Sequence, residues 1–428
     1  MSVPKAFLMY SSQEVSDETI LLLTMNYKLT DQQRSLSKKY IAYSFLTNLF
    51  FMAAVWLYFY RLFVTDQQVG IIDGLAFAVG LIAEVPSGAL ADRFGRDKLV
   101  KVGHILTGIG LLMQAFGSSF APFLGGQVIM MIGISFVSGA DEALFFAKLN
   151  FDRASAHWRK LVTRETQAGM VAILCATVIG GWLHTIHPRV PWILTGLAFF
   201  GAAFVVWGLR DERRERATQT FGAEFVEHVA SIRSGFREFF TPRLLRYVPI
   251  ILVLQGLFYA VGWGLLRLIL LDRFHFGPFA GSVVVATSSL LTVGVLSLMH
   301  RQAESMREQR VVSVIAIAAA ASLVVSIADI GIWGALVIFA LYAGAQILAP
   351  FMSEILNNRA PEEERATVLS VASFLRTLPY VALAPLIGYL NTQGKLEYFL
   401  ITWPVLIVAA VLTYFVLKPR DVFDRMGE

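Results

Sequence analysis

One cysteine, Cys175, stands in the whole chain, and it lies inside an apolar run. A disulfide framework and a thiolate metal site are both excluded. Charge is scarce as well: Asp, Glu, Lys and Arg make up 16% of 428 residues, against 56% hydrophobic residues and 33 phenylalanines. So few charges cannot keep the surface of a soluble domain of this size wet. The chain also lacks a P-loop, a His-Glu-x-x-His pair and a Gly-x-Ser-x-Gly turn. With no soluble domain to house catalysis, no enzyme and no cofactor are expected.

What the chain has instead is apolar length. Runs of about 18 residues or more recur, each long enough to cross a hydrocarbon core of roughly 30 Å. Between charged and turn-rich breaks we read twelve spans, near 41–60, 69–90, 99–116, 122–147, 166–186, 191–209, 247–271, 278–299, 311–328, 332–356, 366–390 and 397–417. The expected fold is an all-α polytopic membrane protein. Counting Lys101, in the first turn of span 3, with the connection before it, 30 of the 36 Lys and Arg fall on the N-terminus, the even-numbered connections and the C-terminus, while the opposite connections hold four. Basic loops stay cytoplasmic, so both termini are expected there, in a bacterial inner membrane. The net charge of +5 is thereby read as a topology signal rather than a nucleic-acid patch.

Residues 1–40 do not fit a signal peptide, because "ILLLTM" is short and follows acidic residues. They read as a cytoplasmic tail, as do residues 418–428. Residues 41–209 and 247–417 form two six-helix halves, joined by a connection over 210–246. In that connection Phe221, Phe225, Val229, Ile232, Phe236 and Phe240 recur at three- or four-residue steps, which predicts an amphipathic helix resting at the interface. The halves echo each other. "LNFDRASAHWR" at 149–159 answers "LNNRAPEEER" at 356–365, and "VIGGWL" at 178–183 answers "PLIGYL" at 385–390. A six-helix unit duplicated along the chain is the build of many secondary transporters.

Between spans 2 and 3, on the expected cytoplasmic side, lies "GALADRFGRDK". It resembles the signature loop of the major facilitator superfamily, and "RATVLSVASF" at 365–374 resembles the start of helix 11 in bacterial members. The resemblance covers about residues 38–418. It implies a twelve-helix transporter with two pseudo-symmetric halves, in which Gly88, Asp92, Arg93, Gly95 and Arg96 form a latch in one conformation. Gly88 and Gly95 would allow close helix approach and a tight turn. Other signatures are missing. Helix 4, "GGQVIMMIGISFVSGADEALFF", has no Arg, helix 5 has Ala176-Thr177 in place of Gly-Pro, and Asp97 stands where a basic residue is usual.

In that superfamily helices 1, 4, 7 and 10 line the cavity. Spans 6 and 9 contain no Asp, Glu, Asn, Gln, His, Lys or Arg, and span 12 only the Glu397 that opens it. Helix 1 carries Ser44, Asn48, Met52, Trp56 and Tyr60 at steps of four, and helix 7 carries Gln255, Tyr259, Trp263 and Arg267 likewise. Tyr342, Gln346 and Glu354 lie on helix 10. Steps of four keep each set on one broad face. Asn48, Gln255, Tyr259, Trp263, Arg267, Tyr342 and Gln346 are thus cavity candidates, interhelical hydrogen bonding and interface anchoring being the alternative. Ionisable groups inside spans need a partner or water. Glu142, Asp141, Glu84 and Arg376 are candidates for proton coupling, a plain Arg376–acid ion pair being the simpler reading. Without a nucleotide-binding domain, the expectation is a monomeric, proton-coupled exporter of a small organic or amphipathic molecule. Uptake of a polar organic anion and a transport-inactive sensor or scaffold are the alternatives.

Overall fold

The computed structural model describes residues 30–149, 156–210, 234–300 and 308–417. Residues 1–29 of the expected N-terminal tail, the C-terminal tail, Arg153 of the repeat and Phe221, Phe225, Val229 and Ile232 of the expected linker helix lie outside the described residues, as does the side chain of Asp92, whereas residues 31–40 belong to the first helix. Among the described residues the chain is helical throughout. Ten helices are long and apolar enough to cross a membrane, and Val190–Val206 is a shorter apolar one.

The chain divides into two compact units. The first comprises residues 1–55 and 79–225, the second residues 56–78 and 226–428. The first part of the second span therefore groups with the C-terminal half, although it precedes the linker in sequence.

In the first unit, α1 (Asp31–Thr47) opens with a capping box. Thr30 accepts from the Gln33 N–H, and Gln33 accepts from the Thr30 N–H, each at 3.1 Å. The rest of the unit is built from the end of α3 (Asp66–Phe94), α4 (Arg96–Phe116), α5 (Phe120–Val137), α6 (Ala140–Leu149), α7 (Ala156–Ile186) and α8 (Val190–Val206). Its core is aromatic. Tyr40 stacks on Trp158 at 6.3 Å between ring centres and tilts against Phe145 at 4.6 Å.

The second unit begins with α2 (Trp56–Tyr60) and the first half of α3. After the linker come α9 (Gly256–Gly262), α10 (Leu265–Arg273), α11 (Pro278–His300), α12 (Glu308–Val325), α13 (Gly334–Arg359), α14 (Arg365–Thr392) and α15 (Leu396–Val416). At the linker's end, a short helical stretch at 234–239 docks on α14 through Phe236, whose ring lies 5.6 Å from that of Phe374. Phe239 is buried there and Phe240 exposed, so the expected apolar face does not run as far as Phe240.

Three expected spans are not single α-helices. The first breaks after Thr47, with turns over 48–55 before α2. The fourth breaks at Ser138-Gly139, where Gly139 has φ of 76°. The seventh starts with π-helical Ile250–Gln255 and breaks again at Trp263-Gly264. Breaks inside a membrane span free backbone groups, so each must be satisfied by a neighbour. Those neighbours mark the sites.

Candidate functional site

In the first unit the break at Gly139 places Asp141 and Glu142 in the first turn of α6, where the helix dipole favours acids. Asp141 accepts from the Glu142 N–H at 2.8 Å and from the Tyr43 hydroxyl at 2.9 Å. Tyr43, on α1, also stands 2.8 Å from Nε2 of His104 on α4. A tyrosine that gives its proton to Asp141 can only accept from His104. That puts the imidazole proton on Nε2 and leaves buried Nδ1 without a hydrogen-bond partner among the described residues. Three protonatable groups from three helices are thus strung in one line. Glu142 itself is exposed, and so is Glu84.

Asn48 caps the end of α1 and donates to the Ser44 carbonyl at 2.8 Å. It is therefore not on one helical face with Trp56 and Tyr60, as steps of four suggest. The turns that follow it pack on α7, where a Cβ at Gly180 would overlap the Phe51 carbonyl. This accounts for Gly180 in the "VIGG" of helix 5.

The charged connection between α3 and α4 turns at Gly95, whose φ of 91° only glycine adopts without strain. Gly88 differs. It lies inside α3, and no described atom would come within 4 Å of a Cβ there, so the close approach expected at Gly88 is not present. Arg93 is exposed and Arg96 half-buried. Asp97 is the acid with a described partner: Lys101 reaches it at 3.0 Å and donates to the Leu209 carbonyl, beyond the end of α8, at 2.7 Å. The second unit repeats the device. Glu308, at the start of α12, accepts from Tyr247 at 2.9 Å and from Tyr414 of α15, and pairs with Arg359 at 3.1 Å. In each unit an acid opening the third long helix is tied to the end of the sixth.

In the second unit the stripe Gln255, Tyr259, Trp263, Arg267 does not share one face. The π-helical turn and the break at Gly264 shift its phase: Gln255 and Arg267 are each 4% exposed, whereas Trp263 is 46% exposed. Arg267 donates to the Gly262 carbonyl at 3.0 Å and lies 5.8 Å from the Tyr342 ring centre. Gln255 reaches the Leu348 carbonyl of α13 at 3.5 Å, so that pair is an interhelical contact. Tyr342 is half-buried and Gln346 exposed. Arg376, on α14, donates to Ser373 at 3.3 Å. It belongs to the second unit and Glu84 to the first.

The break at Gly264 is completed by α14. The Tyr380 hydroxyl accepts the freed Leu265 N–H at 2.8 Å and donates to Asp73 of α3. Asp73 is 3% exposed. The Tyr380 ring packs with Phe77 and Tyr259 in a cluster with ring centres 5.2–5.6 Å apart. Two turns back, at the start of α3, Asp66 is held by Arg61 from the turn after α2, which forks onto it with two 2.7 Å bonds and reaches Asp272 at 2.6 Å. Burial works to lower the Arg61 pKa, but the bonds and charges of Asp66 and Asp272 outweigh it and raise it. Asn391 of α14 also donates to Asp66.

Tyr43, His104 and Asp73 are site residues absent from the sequence candidates; for Asp73 a signal was there. Its signal was a lone acid in the apolar run "VGIIDGLAFAVG", flanked by Gly70 and Gly74. Among the described residues no group of three or more His, Cys, Asp or Glu is placed to hold a metal ion.

No curated protein matches the chain in sequence. Its fold is similar to that of the nucleoside transporter NupG, with a TM-score of 0.71 over 91% of this chain and 99% of that one at 10% identity. A crystal structure of the D-xylose-proton symporter gives 0.64, covering 90% and 98% at 16% identity. The peptide transporter POT in complex with sulfate gives 0.68, covering 92% and 95% at 12% identity. Identities this low establish the fold. Family comes from the sequence itself: the pattern of the Major Facilitator Superfamily matches residues 40–384, well over half of the 428, and the chain belongs to that superfamily.

Proposed function

We propose that this chain is a secondary transporter that exports a small organic or amphipathic molecule in exchange for protons. Both termini face the cytoplasm in this reading, and the connection bearing Gly95 is the inner latch. The observation that supports proton coupling is the line His104–Tyr43–Asp141. It sets a carboxyl that can take or lose a proton beside two groups that can relay one, at a break in a membrane-spanning helix. The D-xylose-proton symporter shares the fold, which suits a proton as the driving ion.

A screen of candidate cargoes in proteoliposomes with an imposed pH gradient tests this directly. Gradient-driven efflux that fails in Asp141→Asn is expected, and equal rates with and without the gradient would remove the coupling. Orientation is tested separately. A cysteine at Lys395 should label from outside intact cells and one at Arg237 should not.

A second reading has one observation of its own. Arg267 is a buried cation at the Gly264 break, and it is the group that would receive an organic anion. The sulfate bound in the peptide transporter shows that another protein of this fold holds an anion. Under that reading, Arg267→Gln abolishes uptake of anionic cargo and leaves neutral cargo unaffected.

A further inference from the structure

The first half of α3 and the far end of α14 meet backbone to backbone. A Cβ at Gly70 would overlap the Ala384 carbonyl, one at Gly388 the Asp66 carbonyl, and one at Gly74 would stand 2.7 Å from the Val381 carbonyl. The four-residue step from Gly70 to Gly74 is the small-residue spacing that lets membrane helices approach so closely. The Gln67 N–H closes the end of this seam on Thr392 at 2.9 Å. Into it, one residue before Gly74, the chain places Asp73.

We propose that Asp73 is a protonation switch for this seam: the neutral acid holds α3 against α14, and the charged acid parts them. This rests on reading the chain as a transporter, and goes beyond it by assigning a second protonatable group and the motion it controls. The argument turns on burial. A carboxylate with so little exposure gives up nearly all of its hydration, and hydrogen bonding inside the protein returns only part of that loss. Parting the seam restores water to Asp73, which the charged form needs and the neutral form does not. Tyr380 serves either form, because its hydroxyl can donate to a carboxylate or to the carbonyl oxygen of the acid while still accepting from Leu265.

The other titratable groups on the packed elements leave this logic intact. Tyr60 of α2 is a buried neutral phenol. Tyr259 of α9 meets the ring of Tyr380, and Arg267 of α10 turns to the Gly262 carbonyl. Arg61 and Asp66 satisfy one another at the start of α3. The glycines explain why the seam separates as a unit. Gly70, Gly74 and Gly388 bring no side chain of their own to it, so its closure depends on backbone contact and on the polar groups at Asp73 and Asp66.

The test uses the full chain in lipid nanodiscs, with Cys175→Ser and spin labels at Leu62→Cys and Gln393→Cys, both exposed positions beside the seam. The distance between labels is followed from about pH 5 to about pH 9. A short distance at low pH, giving way to a longer one as pH rises, is expected in the parent. Asp73→Asn should keep the short distance throughout. Tyr380→Phe should retain the transition but move its midpoint, since Asp73 loses one of its partners. A parent distance that ignores pH overturns the proposal, and so does the same transition in Asp73→Asn. The readout needs no cargo, so a failed flux assay and a failed switch are told apart.

Discussion

Arg61 holds Asp66 in a two-pronged grip, Nε and Nη2 each 2.7 Å from a carboxylate oxygen, while its remaining nitrogen takes Asp272. Asp66 is largely buried, with its side chain 10% exposed. Removing the guanidinium would leave that acid without its cation. Arg61→Ala is therefore expected to cost on the order of 3 kcal/mol, read as a lowered unfolding temperature in detergent. Arg61→Lys should recover only part of the loss, because an ammonium cannot fork onto both oxygens and reach a second acid. Full recovery by lysine would show that charge alone matters there.

The glycines of the charged connection are separable. Gly95 needs its positive φ, and alanine there should cost about 1–2 kcal/mol of strain. Gly88 has open space about it within a helix, and alanine should be tolerated or mildly stabilising. Paired unfolding curves check both. Equal losses would mean that Gly88 makes a close approach in another state of the transporter.

Asp97 departs from the basic residue usual at its place, and Lys101 supplies the reason. Their side chains are 12% and 16% exposed and 3.0 Å apart. Lys101→Ala strands the acid and the Leu209 carbonyl together, so it should destabilise more than Asp97→Asn. A double-mutant cycle should return a coupling of about 1–3 kcal/mol. Additive losses would show the pair to be incidental.

These cases show where sequence reading reached. Twelve apolar runs and the loop "GALADRFGRDK" carried the fold and the family, because span length and basic loops are local quantities. The faces of helices 1 and 7 were not legible. A four-residue step holds only while the helix is regular, and the breaks after Thr47 and at Gly264 reset the phase. Asp141 was legible as an acid in a span. Its partners were not, because Tyr43 and His104 come from helices 98 and 37 residues back and no local pattern joins them. Asp73 was hidden for the same reason. Its partner Tyr380 is 307 residues away, and only the folded chain brings the two together.

The line through Tyr43 can be dissected one group at a time. Asp141→Asn keeps the shape and still accepts from Tyr43, but cannot take up a proton at working pH. Gradient-driven transport should fall at least about tenfold, while cargo exchange without a gradient continues, since a loaded protein can reorient without net proton movement. His104→Gln keeps a donor for the Tyr43 oxygen but ends titration at that position. If the histidine only orients Tyr43, this variant transports normally. If it relays the proton, gradient-driven transport falls as in Asp141→Asn. Tyr43→Phe separates the acid from the imidazole, so adding it to either single variant should cost no more than the larger of the two single effects. Wild-type accumulation in both Asp141→Asn and Glu142→Gln would move the coupling out of the first unit, and leave Asp73 as the carboxyl to measure next.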